Sequence, residues 1–174
     1  MDFTKLIEKR RSIRKYTDEI ISDENIEKIV HAGLLAPSSR NLKSAELIVI
    51  KDKDTLKKLA DAKASGSRML DGAAFAVAVI GDSQKAVDAW IEDCSLALIY
   101  MQLAATELGI GSCWIQCRKR ASKTENVSSE DFARGILGFP ENYSLEAIMS
   151  FGMPAEEKPE ISDTDTNKIH FEKF

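Results

Sequence analysis

Residues 83–117, SQKAVDAWIEDCSLALIYMQLAATELGIGSCWIQC, carry the longest periodic pattern in the chain. Apolar residues recur there at a spacing of three to four, which predicts one amphipathic helix over Ser83–Leu108. At 1.5 Å per residue such a helix would be roughly 37 Å long, about the diameter of a domain of this size. Gly109 supplies a C-terminal stop, and the apolar run GSCWIQC (111–117) predicts a strand directly after it. We therefore expect this helix to form the backbone of the core.

Shorter segments with strand or helix patterns flank this stretch on both sides. Three further apolar runs predict strands: AELIVIK (45–51), GAAFAVAVIGD (72–82) and LEAIMSFGMP (145–154). Four segments have a helical pattern: FTKLIEKR (3–10), a helix capped by Ser22 and stopped by Pro37, DTLKKLADAKA (54–64), and SEDFARGIL (129–137) between an S-x-x-D box at Ser128 and a stop at Gly138. Helices alternating with few strands predict an α/β or α+β domain.

The chain end has a different composition. Residues 155–167 are polar, with five acidic residues and one lysine, and we expect residues 155–174 to form an extended arm. The last segment, KIHFEKF (168–174), alternates in a way that predicts a short strand.

Composition and charge exclude several classes of protein. The 174 residues are 44% hydrophobic and 30% charged, which predicts one globular domain over 1–174. A net charge of −4 argues against a general nucleic-acid binder. Neither a secretory signal pattern nor an apolar run of about 18 residues is visible, so we expect no membrane segment and a cytoplasmic location.

Cysteine and histidine usage points the same way. Three cysteines are few, and their odd number does not suit a disulfide framework. The segment CWIQC (113–117) lacks the C-x-x-C spacing of a redox pair. Buried structural cysteines in a reducing compartment are therefore expected. The two histidines are far apart, so we expect no metal site. The GIG at 109–111 follows a helix and opens a strand, the reverse of a Rossmann fingerprint.

Two polar segments have no obvious structural purpose. RRSIRKY (10–16) concentrates positive charge on an acidic chain, as a solvated helix end, a nucleic-acid patch or a phosphate clamp would. LLAPSSRN (34–41) places hydroxyl and amide groups where a helix stops. These groups either satisfy one another in a turn or bind the edge of a polar ring.

Four motifs together carry a family resemblance. R-R-S-x-R (10–14), A-P-S-S-x-N (36–41), L-G-x-G-x-x-W-I (108–115) and SFGMPAEE (150–157) occur in one order. Over about residues 3–156 this pattern resembles the short members of the FMN-dependent nitroreductase family. The resemblance implies an α+β fold with a central, mostly antiparallel sheet flanked by helices. It also implies a homodimer with an exchanged C-terminal arm and a flavin at the interface.

The resemblance also implies which residues contact FMN. Arg10, Arg11 and Ser12 match positions that bind the phosphate and ribityl end, where guanidinium groups form charge-assisted bonds. Arg14 matches a position facing the pyrimidine edge of the flavin, where a cation stabilises negative charge during reduction.

Other matched positions come from the middle of the chain. Four residues match a loop that reaches the flavin from the other subunit: Pro37, Ser38, Ser39 and Asn41. Three match a strand end beside flavin N5 and O4, Ile115, Gln116 and Cys117, with Cys117 contributing its amide and not its thiol. Arg68 resembles a basic position near flavin O2 in longer relatives.

Two departures from the family pattern bear on cofactor binding. After Asn41 the family commonly continues with glutamine, proline and an aromatic residue, whereas this chain has Leu42-Lys43-Ser44-Ala45. Lys43 can still donate to the flavin, but as a point charge. Basic residues for a C-terminal phosphate contact are also scarce, since segment 155–167 offers Lys158 alone.

The implied activity is electron transfer from NADH or NADPH, through flavin N5, to a small electron-poor acceptor such as a nitroaromatic or a quinone. The flavin carries the chemistry, so no catalytic side chain is expected. Two alternatives stay open at this point. One is a flavin-binding protein with little turnover, acting as a sensor or interaction module. The other is a relative that uses the same site for another flavin reaction, such as dehalogenation.

Overall fold

Five helices and four strands form the regular structure of a computed structural model that describes residues 2–161 and 164–174. The helices are α1 (Phe3–Lys9), α2 (Asp23–Leu34), α3 (Lys53–Leu59), α4 (Trp90–Glu107) and α5 (Ser129–Leu137). The strands are β1 (Ala45–Ile50), β2 (Phe75–Asp82), β3 (Gly111–Gln116) and β4 (Tyr143–Gly152). Short 3-10 turns cover Ser39–Asn41, Arg68–Gly72 and Thr166–Lys168.

The four strands form one antiparallel sheet in the order β1-β2-β4-β3. This arrangement confirms the α+β class and the antiparallel sheet that the resemblance implied. β2 and β4 lie in the centre and are buried on both faces, which explains why both read as continuous apolar runs. β1 and β3 form the two edges of the sheet.

Each face of the sheet has its own apolar core. On one face the Phe75 and Phe151 rings stack at 4.6 Å and contact a core that α2 and α4 complete. On the other face Ala76, Ala78 and Ile148 pack beneath α3 and α5. Successive residues of a strand point to opposite faces, so one apolar run serves both cores.

The long helix is shorter than its apolar pattern predicted. It begins at Trp90, and the expectation that it starts at Ser83 is wrong. The side chain of Asp82 accepts hydrogen bonds from the backbone amides of Gln84 and Lys85, both at 3.0 Å, and thereby folds residues 83–89 into turns. With 18 residues α4 is about 27 Å long and still crosses the core.

Local capping signals behave as the sequence predicts. The Ser22 and Ser128 side chains accept from backbone amides at the starts of α2 and α5. Gly138 ends α5 in the left-handed conformation at φ 73°. α3 ends at Leu59, several residues before the end of its pattern, where a turn takes over.

The chain end lies along the N-terminal segment. Residues 153–161 run antiparallel to residues 8–17, with backbone bonds of 2.9 Å from Thr17 to Met153 and from Ala155 to Lys15. The strand predicted for residues 168–174 is wrong. A 3-10 turn and exposed irregular chain take its place, because no strand lies beside it in the described ranges to complete a ladder.

Within the described ranges, every helix is too short or too polar to cross a bilayer.

Candidate functional site

The basic segment, residues 10–14, lies on the outer edge of β3. The Ile13 amide donates to the Ser112 carbonyl at 2.9 Å, and Ser12 pairs with Ser112 as a parallel bridge. Behind it, the Tyr16 hydroxyl donates to the Ile13 carbonyl at 2.7 Å and lies 2.8 Å from the Ser150 hydroxyl. Burial raises the pKa of Tyr16, so the phenol stays neutral and holds the segment in place.

The polar groups of this segment fit an anionic ligand. Among the residues that the structure describes, the Arg10 guanidinium and the Ser12 hydroxyl have no protein partner, and Arg14 makes only a 3.3 Å side-chain bond to the Ser12 carbonyl. Arg11 differs, since its guanidinium donates to the carbonyl of Pro159. Two arginines and a hydroxyl are thus available for the charge-assisted bonds that phosphate requires.

The acidic chain end lies beside these cations. A cavity of about 390 Å³ is lined by Arg11 and Lys158 together with Glu156 and other carboxylates. Glu156 accepts from the Arg14 amide at 2.6 Å, and this bond holds the pKa of that carboxyl below its usual range. The Lys158 ammonium donates to the Ser12 carbonyl. The chain end therefore has few cations in its sequence and also places carboxylates next to the basic segment.

Residues 37–44, the serine loop, have an unusual backbone. Arg40, Asn41 and Lys43 have φ values of 51°, 54° and 49°, in the left-handed region that residues other than glycine rarely adopt. The Lys43 amide donates to the Ser38 hydroxyl at 2.9 Å, and Arg40 pairs with Asp88. The loop thus presents the side chains of Pro37, Asn41 and Lys43 at the surface.

At its last residue, Gln116, strand β3 presents a backbone amide to the outer edge of the sheet. The Cys117 amide donates to the Glu146 carbonyl at 3.2 Å, toward β4. Backbone groups alternate along a strand, so Trp114 and Gln116 face the outer edge, as Ser112 does where it accepts from Ile13. The Cys117 backbone amide is therefore already hydrogen-bonded within the sheet, whereas the Gln116 backbone amide faces outward.

Side chains hold this strand end in place. Strand β4 has a β-bulge at Glu146. Leu145 pairs with Ile80 and Ala147 pairs with Val79, so Glu146 is the extra residue without a partner in β2. The buried Glu146 carboxylate accepts hydrogen bonds from the side-chain amide of Gln116 at 2.9 Å and from Arg118 Nε at 2.7 Å. Gln116 in turn accepts from the Trp114 indole at 2.9 Å.

The remaining predicted residues have defined surroundings. Ile115 and all three cysteines are buried, and the cysteines are free, as expected. Burial raises the pKa of the Cys117 thiol to about 11, which removes thiolate chemistry at neutral pH. Arg68 is exposed and pairs with Asp71 at 2.9 Å and Asp61 at 3.7 Å.

The single chain does not bring the basic segment, the serine loop and the end of β3 into one cavity. Arg11 lines the cavity of about 390 Å³, Pro37, Ser38 and Lys43 line one of about 80 Å³, and Cys117 lines one of about 490 Å³. These three cavities share no residue. Among the described residues, no cluster of three or more histidine, cysteine or acidic side chains could hold a metal ion.

Two buried carboxylates were missed by sequence reasoning. Asp93 and Glu146 are each 3% exposed, and both bond to predicted site segments. A signal for each was present, since Asp93 lies on the apolar stripe of a helix and Glu146 interrupts an apolar strand. An acid within an apolar pattern is costly to bury unless it accepts hydrogen bonds.

Comparison with known proteins places this geometry in a family. A model of the nitroreductase family matches residues 7–79 and 61–153. A curated relative from Archaeoglobus fulgidus, named as an NADH dehydrogenase/NAD(P)H nitroreductase, is 40% identical over 176 residues, covering 98% of this chain and 97% of the relative.

Solved structures agree with this match. An FMN-dependent nitroreductase from Clostridium difficile R20291 superimposes with a TM-score of 0.94 at 43% identity, covering 97% of this chain and 98% of the other. A nitroreductase from Desulfovibrio desulfuricans, solved in complex with FMN, gives a TM-score of 0.81 at 26% identity, covering 100% and 98%.

Proposed function

The chain belongs to the nitroreductase family, and from this premise we propose that it works as a homodimeric FMN enzyme that passes electrons from NADH or NADPH to a small electron-poor acceptor. Its class is that of an NAD(P)H-dependent flavin oxidoreductase, the activity named for its relatives. Nitroaromatic and quinone-like compounds are the acceptor chemistry that we propose.

The observation that carries this proposal is the outer edge of β3. The basic segment pairs with this edge at Ser112, and the outward amide of Gln116 lies four residues further along. Four residues of strand span about 13 Å, so one elongated ligand can contact both ends. Such a ligand combines an anionic terminus with a flat polar ring, as FMN does.

Each group on this edge has a definite role. Arg10 and Ser12 bind the terminal phosphate, and Arg14 supplies positive charge near the ring. The Gln116 amide donates a hydrogen bond to the ring from a strand end that Glu146 holds rigid. FMN, when bound, supplies the redox chemistry, so the residues of the chain bind, orient and tune it.

The homodimer is supported by the distribution of site residues and by apolar surface. The serine loop and the basic segment line separate cavities of one chain, so a composite site needs a second copy. Phe3 and Ile7 of α1 are 63% and 47% exposed, and Leu96 and Tyr100 of α4 are 36% and 40% exposed. Apolar side chains exposed on two contacting helices favour burial against a partner. Exchange of the chain end between subunits is part of the same proposal for residues 164–174 alone, because residues 153–161 pair with residues 8–17 of their own chain.

A second candidate function is flavin binding with little turnover. Glu156 lies against the Arg14 backbone, and its negative charge opposes further charge on a reduced flavin. This charge would lower the reduction potential of the flavin, and a lower potential slows its reduction by a nicotinamide.

One set of measurements tests both functions. The cofactor released by heat is identified chromatographically, and stopped-flow absorbance follows the oxidised flavin band after mixing with NADH or NADPH. FMN that bleaches within the turnover time of a model quinone supports the reductase. FMN that does not bleach supports the binding protein, and FAD or no flavin after addition of FMN contradicts both.

A further inference from the structure

We propose that Asp93 is a positioning residue that holds the serine loop in the conformation presented to the flavin, an inference that rests on the proposed function. Asp93 lies in the first turn of α4 and is 3% exposed. No contact with the flavin is needed for this role, since Asp93 acts on the loop that carries Pro37, Ser38 and Asn41.

The two oxygens of the Asp93 carboxylate join the beginning and the end of the loop. Oδ1 accepts from the Ser39 amide at 2.8 Å, and Oδ2 accepts from the Ser44 hydroxyl at 2.6 Å. Ser44 is itself buried, with 1% of its surface exposed. One rigid group on the central helix therefore fixes two points of the loop, and the exposed residues Arg40, Asn41 and Lys43 lie between them.

The backbone between these points needs such support. Arg40, Asn41 and Lys43 all have positive φ, which is unfavourable for side chains that carry a Cβ. An exposed ion pair between Arg40 and Asp88 and three hydrogen bonds within the loop also hold this region, and all three of those bonds end on Ser38 or Ser39. A loop of this kind relaxes to other conformations when its ends are released, and binding then has to restore the competent one.

The carboxylate is suited to the task by its charge and its location. Among the described residues Asp93 forms no ion pair, and both its oxygens are used as acceptors by the loop. Its position near the N-terminus of α4 stabilises a negative charge there. A neutral asparagine at this position can still accept from the Ser39 amide but can hold the Ser44 hydroxyl only by donating to it, so both bonds lose the strength that the carboxylate charge gives them.

The first test compares Asp93→Asn with Glu92→Gln, an isosteric loss of charge at the neighbouring exposed position on the same turn. FMN affinity is measured by fluorescence titration of the apoprotein, and hydrogen exchange of apoprotein peptides covering 37–44 is followed by mass spectrometry. We expect Asp93→Asn to weaken FMN binding by about tenfold, because both bonds to the loop become neutral and therefore weaker. Faster exchange should be confined to the serine loop, and Glu92→Gln should match the wild type in both measurements.

Ser44→Ala provides a milder variant in case Asp93→Asn does not fold. It removes only the bond at the end of the loop, and we expect a smaller loss of FMN affinity in the same direction. Wild-type affinity and exchange in Ser44→Ala, or in a folded Asp93→Asn, would overturn the positioning role.

Mixed dimers separate a role in the loop from a general loss of stability. An Asp93→Asn chain is exchanged with an Arg10→Ala, Arg14→Ala chain. The heterodimer should regain one of its two flavin sites, because both defects then fall in the same composite site. No gain over the parents in a heterodimer that forms would contradict an action through the partner's flavin. A wild-type protein that binds no FMN would instead refute the proposed function, and the positioning role with it.

Discussion

Replacement of Glu146 by alanine should destabilise the protein strongly and do so through Gln116 and Arg118. The carboxylate is 4% exposed and accepts one hydrogen bond from each of these side chains. Removal of one partner from a buried ion pair typically costs about 3–5 kcal/mol of unfolding free energy. Arg118 is 29% exposed and recovers some hydration, so we expect a loss of about 3 kcal/mol.

Thermal unfolding at fixed protein concentration measures this loss. In a chain of this size 1 kcal/mol corresponds to about 2–4 °C, so the midpoint should fall by about 6–12 °C. Glu24→Ala is the matched control, because it removes an exposed carboxylate from a pair with Lys28 and should leave the midpoint unchanged within error. A midpoint for Glu146→Ala within about 2 °C of the wild type would refute the reasoning.

A double-mutant cycle identifies the partner. Arg118→Met alone leaves the carboxylate buried without its cation, whereas Arg118→Met combined with Glu146→Ala leaves neither charge unpaired. The double variant should therefore lose less than the sum of the single variants, by a coupling energy of about 0.5–3 kcal/mol. Strict additivity would mean that the two side chains do not stabilise each other.

Three further outcomes are expected. Gly152→Ala should lower the free energy of unfolding in urea by about 1–3 kcal/mol, because the new Cβ would lie 2.6 Å from the Tyr16 ring. The control Gly72→Ala has no atom within 4 Å of its Cβ and should change stability by less than about 0.5 kcal/mol, so equal losses in the two variants would contradict this prediction. The thiols of the native protein should not react with an aromatic disulfide reagent at pH 8 until the protein unfolds, because a pKa of about 11 leaves about 0.1% of Cys117 as thiolate, whereas about a quarter of an ordinary cysteine is thiolate at this pH. Fast labelling of the native protein would show that the thiols are accessible. Arg10→Ala should weaken FMN binding about tenfold in a fluorescence titration, and a change below about threefold would place the phosphate elsewhere.

Local chemistry made much of the fold readable from the sequence. The strands could be located because each apolar run is bounded by polar or turn residues, and Ser22, Ser128 and Gly138 act on backbone groups within a few residues of themselves. The start of α4 escaped prediction although its cause is also local. Apolar spacing continues through residues 83–89, while the Asp82 side chain competes there for backbone amides.

The sequence by itself determined the family pattern, the four strands and the segments that form the candidate site. Only the tertiary structure decided which groups in those segments are free. Asp93 meets Ser39 and Ser44 across 54 and 49 residues, and no local pattern reports a bond of that separation. Whether Gln116 or Cys117 offers its amide depends on how β3 pairs with β4, because a shift of one residue reverses the direction of every backbone donor along a strand.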